Sequence, residues 1–130
     1  MASWGTGSFE NDDAQKLLQD LHSKEPGYLK AVLERAAEGD YLPAPESGEV
    51  VAAAEVVAVA KGNPPQSVPP EIAEWISNID GAPSVEMTEL ARTAVCKIRL
   101  NSELKDLWLE AEGLNEWSAA LRDLEERLIS

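Results

Sequence analysis

The sequence predicts an all-α fold, a compact bundle of about six to seven helices with an ordered N-terminal arm. Three observations predict it. Apolar residues recur at i, i+3, i+4 and i+7 in segment after segment, and the breaks between segments carry Pro, Gly or an N-capping residue. No two runs alternate in a way that would pair them as strands. The 130 residues fit one domain, taken as 1–130. Such a domain buries about two-thirds of its unfolded surface without help from disulfides or structural metal.

The arm is Met1 to Glu10, which lacks a helical period and sets Trp4 and Phe9 beside Gly5 and Gly7. The aromatics are expected to pin it to the core. Asn11 is an N-cap, with Asp12 and Asp13 in the first turn, where carboxylates favour the positive end of the dipole. Ala14, Leu17, Leu18 and Leu21 form that helix's buried stripe. Pro26 and Gly27 break the chain before a second helix through Leu29, Val32, Leu33 and Ala36, which Gly39 ends.

Leu42-Pro43-Ala44-Pro45 reads as a turn. The stretch from Glu46 to Lys61, rich in Ala and Val and stopped by Gly62, then reads as the central and most buried helix, being apolar almost all round. The proline-rich run from Gly62 to Pro70 is a surface loop. Pro69-Pro70 opens a helix with Ile72, Trp75, Ile76 and Ile79 inward, and Gly81-Ala82-Pro83 turns the chain. From Ser84 a long stripe runs through Met87, Leu90, Ala91, Ala94, Val95 and Ile98, and another through Leu104, Leu107, Trp108 and Ala111. Asn101-Ser102 between them is either a break with Ser102 as N-cap or a kink in one long helix. Gly113 stops the second stripe, and Asn115 is expected to cap a last helix with Trp117, Leu121, Leu124 and Leu128 inward.

Charge narrows the function. With 24 acidic against 11 basic side chains the net charge is −13, so phosphate backbones are repelled and direct nucleic-acid binding is not expected. A basic protein partner or mimicry of nucleic acid fits that charge, and so does simple solubility. The most apolar stretch, Val50 to Ala60, is too short to span a bilayer and is interrupted by Glu55, so no membrane span is expected. The first residues show neither the early bases nor the apolar run of a secretory signal. One cysteine, Cys96, and one histidine, His22, supply neither a disulfide nor a four-ligand zinc site. Together these features suit a reducing cytoplasm. No cofactor is expected, and the oligomeric state is left open.

The segments Trp4-Gly5-Thr6-Gly7-Ser8-Phe9-Glu10-Asn11-Asp12-Asp13-Ala14 and Asn101-Ser102-Glu103-Leu104-Lys105-Asp106-Leu107-Trp108 carry a resemblance. The chain resembles the bacterial family called domain of unknown function 4259 over nearly its whole length, including the Ala-rich helix around Ala53-Ala54-Glu55. The resemblance implies a single bacterial cytoplasmic domain. It brings no catalytic residue to carry over.

Glu55 is the candidate catalytic residue, because it is the only charge between Val50 and Ala60. A carboxylate inside a bundle must pair or shift its pKa, and a shifted carboxyl is one way to make a general acid or base. The competing reading puts Glu55 on a solvent-facing edge or in a structural hydrogen bond. If buried, it is expected to bond to the Trp4 to Asp12 arm or to the Ser102 to Trp108 segment. Trp4, Asn11, Asp12, Ser102, Glu103 and Trp108 are therefore candidate binding residues beside it. Glu10, Asp12 and Asp13 are weighed as ligands for a hard cation, although helix capping explains all three.

Other constellations read better as structure. Gly5-Thr6-Gly7 lacks the third Gly, the preceding strand and the Lys of a phosphate loop. Ser102 is a better cap than nucleophile, and Cys96 with His22 has no local signature of a thiol dyad. The leading functional expectation is a non-enzymatic interaction module, of antagonist or immunity type, with a basic protein as partner. The alternative is a small carboxylate-dependent hydrolase-like enzyme or a ligand-binding domain.

Overall fold

A computed structural model describes residues 28–39, 41–63 and 84–129. Within it the Ala- and Val-rich stretch forms α2 (Ala44–Lys61), packed among α1 (Tyr28–Glu38), α3 (Val85–Leu100), α4 (Glu103–Glu110) and α5 (Leu114–Ile129). The fold is all-helical. The described residues hold five helices and no strand, only an isolated parallel bridge between Leu42 and Ser102. The expected arm, the expected helix starting at Asn11 and the expected helix from Pro70 lie outside the described residues.

Helix α2 is the centre, as its composition requires. Val50 to Ala58 are all buried, and α2 touches each of the other four described helices. Its alanines let neighbours approach closely, while its valines fill the space between them. Val32, Leu33 and Ala36 of α1 pack onto this core, as do Ala91, Ala94, Val95 and Ile98 of α3. Leu104 of α4 and Trp117, Leu121, Leu124 and Leu128 of α5 complete it. Each fully buried Val or Leu contributes about 1.5–3 kcal/mol of transfer free energy.

Helix α2 begins at Ala44, earlier than the expected Glu46. Pro43 is its extended N-cap residue and Pro45 lies in the first turn. A first-turn proline loses no intrahelical bond, because its N–H would have no partner there. The hydroxyl of Ser47 donates to the Pro43 carbonyl at 2.9 Å. At the other end Gly62 adopts φ 101, its N–H reaching Val59 O at 3.0 Å, while Asn63 N–H reaches Ala58 O at 2.9 Å. This is a Schellman closure, which favours glycine because of its positive φ.

Between α3 and α4 the chain breaks rather than kinks. Ser102 accepts the Lys105 N–H at 3.1 Å as N-cap of α4, and its hydroxyl donates to Ile98 O at 2.8 Å in the last turn of α3. Helix α4 also closes with a Schellman pattern, since Glu112 N–H reaches Leu109 O at 3.2 Å and Gly113 N–H reaches Trp108 O at 3.0 Å. Here the left-handed position is held by Glu112, at φ 63. Asn115 is not a cap. Helix α5 starts at Leu114, with Gly113 O accepting the Trp117 N–H at 3.1 Å, so Asn115 lies in the first turn. The tight α4–α5 turn shifts the helix start to the glycine. Ala111, expected in a buried stripe, is exposed because α4 has already ended at Glu110.

Candidate functional site

Position 55 on the apolar α2 puts a carboxylate inside the bundle, where it is only 2 % exposed. Such a group must pair or give up its charge. Arg127, from the last turn of α5, supplies the partner: Nη1 donates to Glu55 Oε2 and Nη2 donates to Oε1 at 2.9 Å, a bidentate fork. Arg127 Nε donates to Asp123 Oδ2 at 2.8 Å, and Nη1 also reaches Asn63 O at 3.3 Å. The hydrogen bonds to Glu55 hold the guanidinium above its ordinary pKa, against the opposing pull of burial, and Asp123 adds a smaller push.

The surrounding groups cap the end of α5. Lys61 Nζ donates to Leu128 O at 2.6 Å and Asn63 Nδ2 to Arg127 O at 2.9 Å. Both satisfy carbonyls that a helix terminus leaves without partners, and the lysine also suits the negative end of the dipole. An open groove of about 260 Å³ lies alongside, lined by Lys61, Val85, Thr88, Glu89, Leu128 and Ile129. Its polar groups are partly spent. The Lys61 amine is on Leu128 O, and the Thr88 hydroxyl donates to Ser84 O at 2.8 Å and to Val85 O at 3.1 Å.

Ser102 and Glu103 belong to a second assembly, at the N-terminus of α2. The Glu103 N–H donates to Leu42 O at 3.0 Å, and the Glu103 carboxylate accepts the Ala44 N–H at 2.8 Å. Glu103 thus caps α2 from a different helix. Beside it the Tyr41 hydroxyl donates to Asp106 Oδ2 at 2.6 Å. This bond is the main reason the Tyr41 phenol is pushed up to about 12, with smaller contributions from desolvation and from the charges of Asp106 and Glu103. A helix rise of 1.5 Å per residue puts Glu55 about 16 Å along α2 from Ala44. The two assemblies are therefore separate.

Trp108 is half-buried against the core, with its ring over Gly113, where a Cβ would fall 2.7 Å from Trp108 Cε3. Cys96 is half-buried too. Its Sγ lies 3.9 Å from Arg99 Nη2, while Arg99 Nε pairs with Glu125 at 2.7 Å and that pairing raises the guanidinium pKa. Trp4, Glu10, Asn11, Asp12, Asp13 and His22 lie outside the described residues. Among the described residues no group of three His, Cys, Asp or Glu side chains could hold a metal ion. Among them, too, no helix is long and apolar enough to cross a membrane. Sequence reasoning missed Arg127, Asp123, Tyr41 and Asp106. One signal was present for the first pair: Asp123 and Arg127 are spaced i, i+4 on one helix, and a Glu in an apolar helix calls for a base elsewhere.

The family model of the domain of unknown function DUF4259 matches residues 2–120. The chain belongs to that family. The DUF4259 match takes in α1 to α4 and the first part of α5, so it contains Glu55, the Tyr41–Asp106 pair and the Ser102 joint, and ends before Asp123 and Arg127. No curated protein and no solved structure matches the chain.

Proposed function

We propose that this DUF4259 domain is a non-catalytic module that docks on a basic surface of another protein in the cytoplasm. The observation that carries the reading is where its carboxylates go. Glu55 is committed to Arg127 and Glu103 to the end of α2, about 16 Å apart by the helix rise, so the two do not converge on a reacting centre. Meanwhile Glu103, Asp106, Glu110, Glu112 and Glu116 are all exposed between 103 and 116, where Lys105 is the only base. That segment keeps its negative charge at the surface. A field of one sign steers a partner of the opposite sign and repels nucleic acid and anionic lipid. A module that covers a basic surface on another protein competes with whatever anion that surface serves, which is how an antagonist or immunity protein acts. The free thiol of Cys96 suits a reducing compartment.

The test is native mass spectrometry of the tagged chain purified from its own cells at low and at high salt. A second polypeptide with a basic surface, held at about 0.05 M salt and released at about 0.5 M, supports the reading, because screening acts on exposed charge. A partner retained equally at both concentrations, or added mass of metabolite size alone, overturns it.

A further inference from the structure

The exposed face of α4 combines acidic and apolar side chains. Leu104 is buried and Trp108 packs on the core, so the opposite face of the helix meets solvent with Asp106, Leu109 and Glu110. Leu109 is 57 % exposed, one turn beyond Asp106. Tyr41, 51 % exposed, reaches the same Asp106 from the loop before α2 through its 2.6 Å hydrogen bond. Two large apolar side chains therefore flank one carboxylate. Residues three apart on a helix have Cβ atoms about 5–6 Å apart, so Tyr41, Asp106 and Leu109 form one contiguous patch.

The patch is also held in place. Asp106 is fixed by the Tyr41 hydroxyl, and Glu103, one turn earlier on the same side, is fixed by the Ala44 N–H at 2.8 Å. Carboxylates already fixed in the free protein lose little freedom on binding. Glu103, Asp106 and Glu110 follow i, i+3, i+7, a row of about 10 Å along the helix. Exposed Tyr and Leu beside this row supply the apolar anchor that charge alone lacks. Tyrosine is among the residues that most often carry binding energy.

Resting on the reading of the domain as a module for basic partners, we infer that the Tyr41–Asp106–Leu109 face of α4 is the docking surface. Its occupant is a basic amphipathic helix, one apolar side chain seated between Tyr41 and Leu109 and Lys or Arg at helical spacing over Glu103, Asp106 and Glu110. Charge complementarity selects this occupant. A second copy of the chain, itself at −13, would set like charge against like.

The experiment titrates the isotope-labelled full chain with a synthetic helical peptide of Leu, Ala and Arg, its arginines at i, i+3 and i+7, and follows amide shifts. A matched peptide with Glu for Arg is the control. Shifts centred on Tyr41, Asp106, Leu109 and Glu110 are expected, with affinity falling about tenfold for Leu109→Ser and for Tyr41→Ala. Leu109 is exposed, so Leu109→Ser should leave the melting temperature unchanged; Tyr41→Ala also loses the hydrogen bond to Asp106, so the melting temperature of both variants is measured alongside to confirm that each is folded. Salt-sensitive binding that maps elsewhere, or that both variants leave unchanged, overturns this surface while the general reading stands. No binding of the arginine peptide even at low salt removes both.

Discussion

Arg127 meets Glu55 with both terminal nitrogens of its guanidinium, joining the end of α5 to the middle of α2 across the core. The Glu55 side chain is 3 % exposed and that of Arg127 17 %, so water screens the pair poorly. Removing Arg127 takes the bidentate cation from a buried carboxylate. Arg127→Ala should therefore cost about 3 kcal/mol in urea denaturation, whereas Glu55→Leu with Arg127→Leu should come within about 1 kcal/mol of the parent. Equal losses for the single and the double variant would show that the charges themselves, not their pairing, stabilise the bundle.

Ser102 is fully buried and serves two helices, donating to Ile98 O and accepting from Lys105 N–H. Ser102→Ala removes the cap of α4 and a bond at the end of α3 together. A loss of about 2 kcal/mol is expected, at the upper end of cap substitutions because the site is closed to water. Ser102→Thr keeps the hydroxyl and should recover part of the loss if the extra methyl fits. A Ser102→Ala variant as stable as the parent would mean water satisfies these groups.

What the sequence made legible was the part governed by local rules. The stripes through Val32, Leu33 and Ala36, through Ala91 to Ile98, and through Trp117 to Leu128 follow from the helical period, and those residues are buried. Gly62 read as a stop because it can take a positive φ. The two assemblies were less legible because they are tertiary. Glu55 stood out as a charge in an apolar run, but periodicity cannot say which base crosses the core to meet it. Glu103 caps a helix that begins 59 residues earlier in the chain, and Tyr41 reaches Asp106 across 65 residues. The start of α2 was misplaced because Pro43 and Pro45 read equally as a turn and as a helix opening.

Glu112 offers a gain. It occupies the left-handed position of the α4 closure at φ 63, where a side chain costs about 1 kcal/mol relative to glycine. Glu112→Gly should raise stability by about 0.5–1 kcal/mol, reduced by the greater freedom glycine has when unfolded. The neighbouring Gly113→Ala should lower it, since the new Cβ would fall 2.7 Å from Trp108 Cε3. Thermal melts of the two variants should shift in opposite directions. A shift of the same sign for both would place the strain elsewhere in the turn.

Tyr41 gives a pH test. Its phenol is raised from 10.0 to about 12, chiefly because its hydroxyl donates to Asp106. A raised folded-state pKa means the neutral phenol is favoured in the native protein. Its contribution is thus complete below pH 10, the unfolded value, and is lost as pH rises through about 12. Ultraviolet titration of the parent against Tyr41→Phe isolates this phenol from that of Tyr28. Asp106→Asn removes the charged acceptor and should bring the Tyr41 midpoint back toward 10, the ordinary tyrosine value. An unchanged midpoint in Asp106→Asn would show that the carboxylate does not hold the hydroxyl in solution, and with it would go the fixed placement of Asp106 on the exposed face of α4.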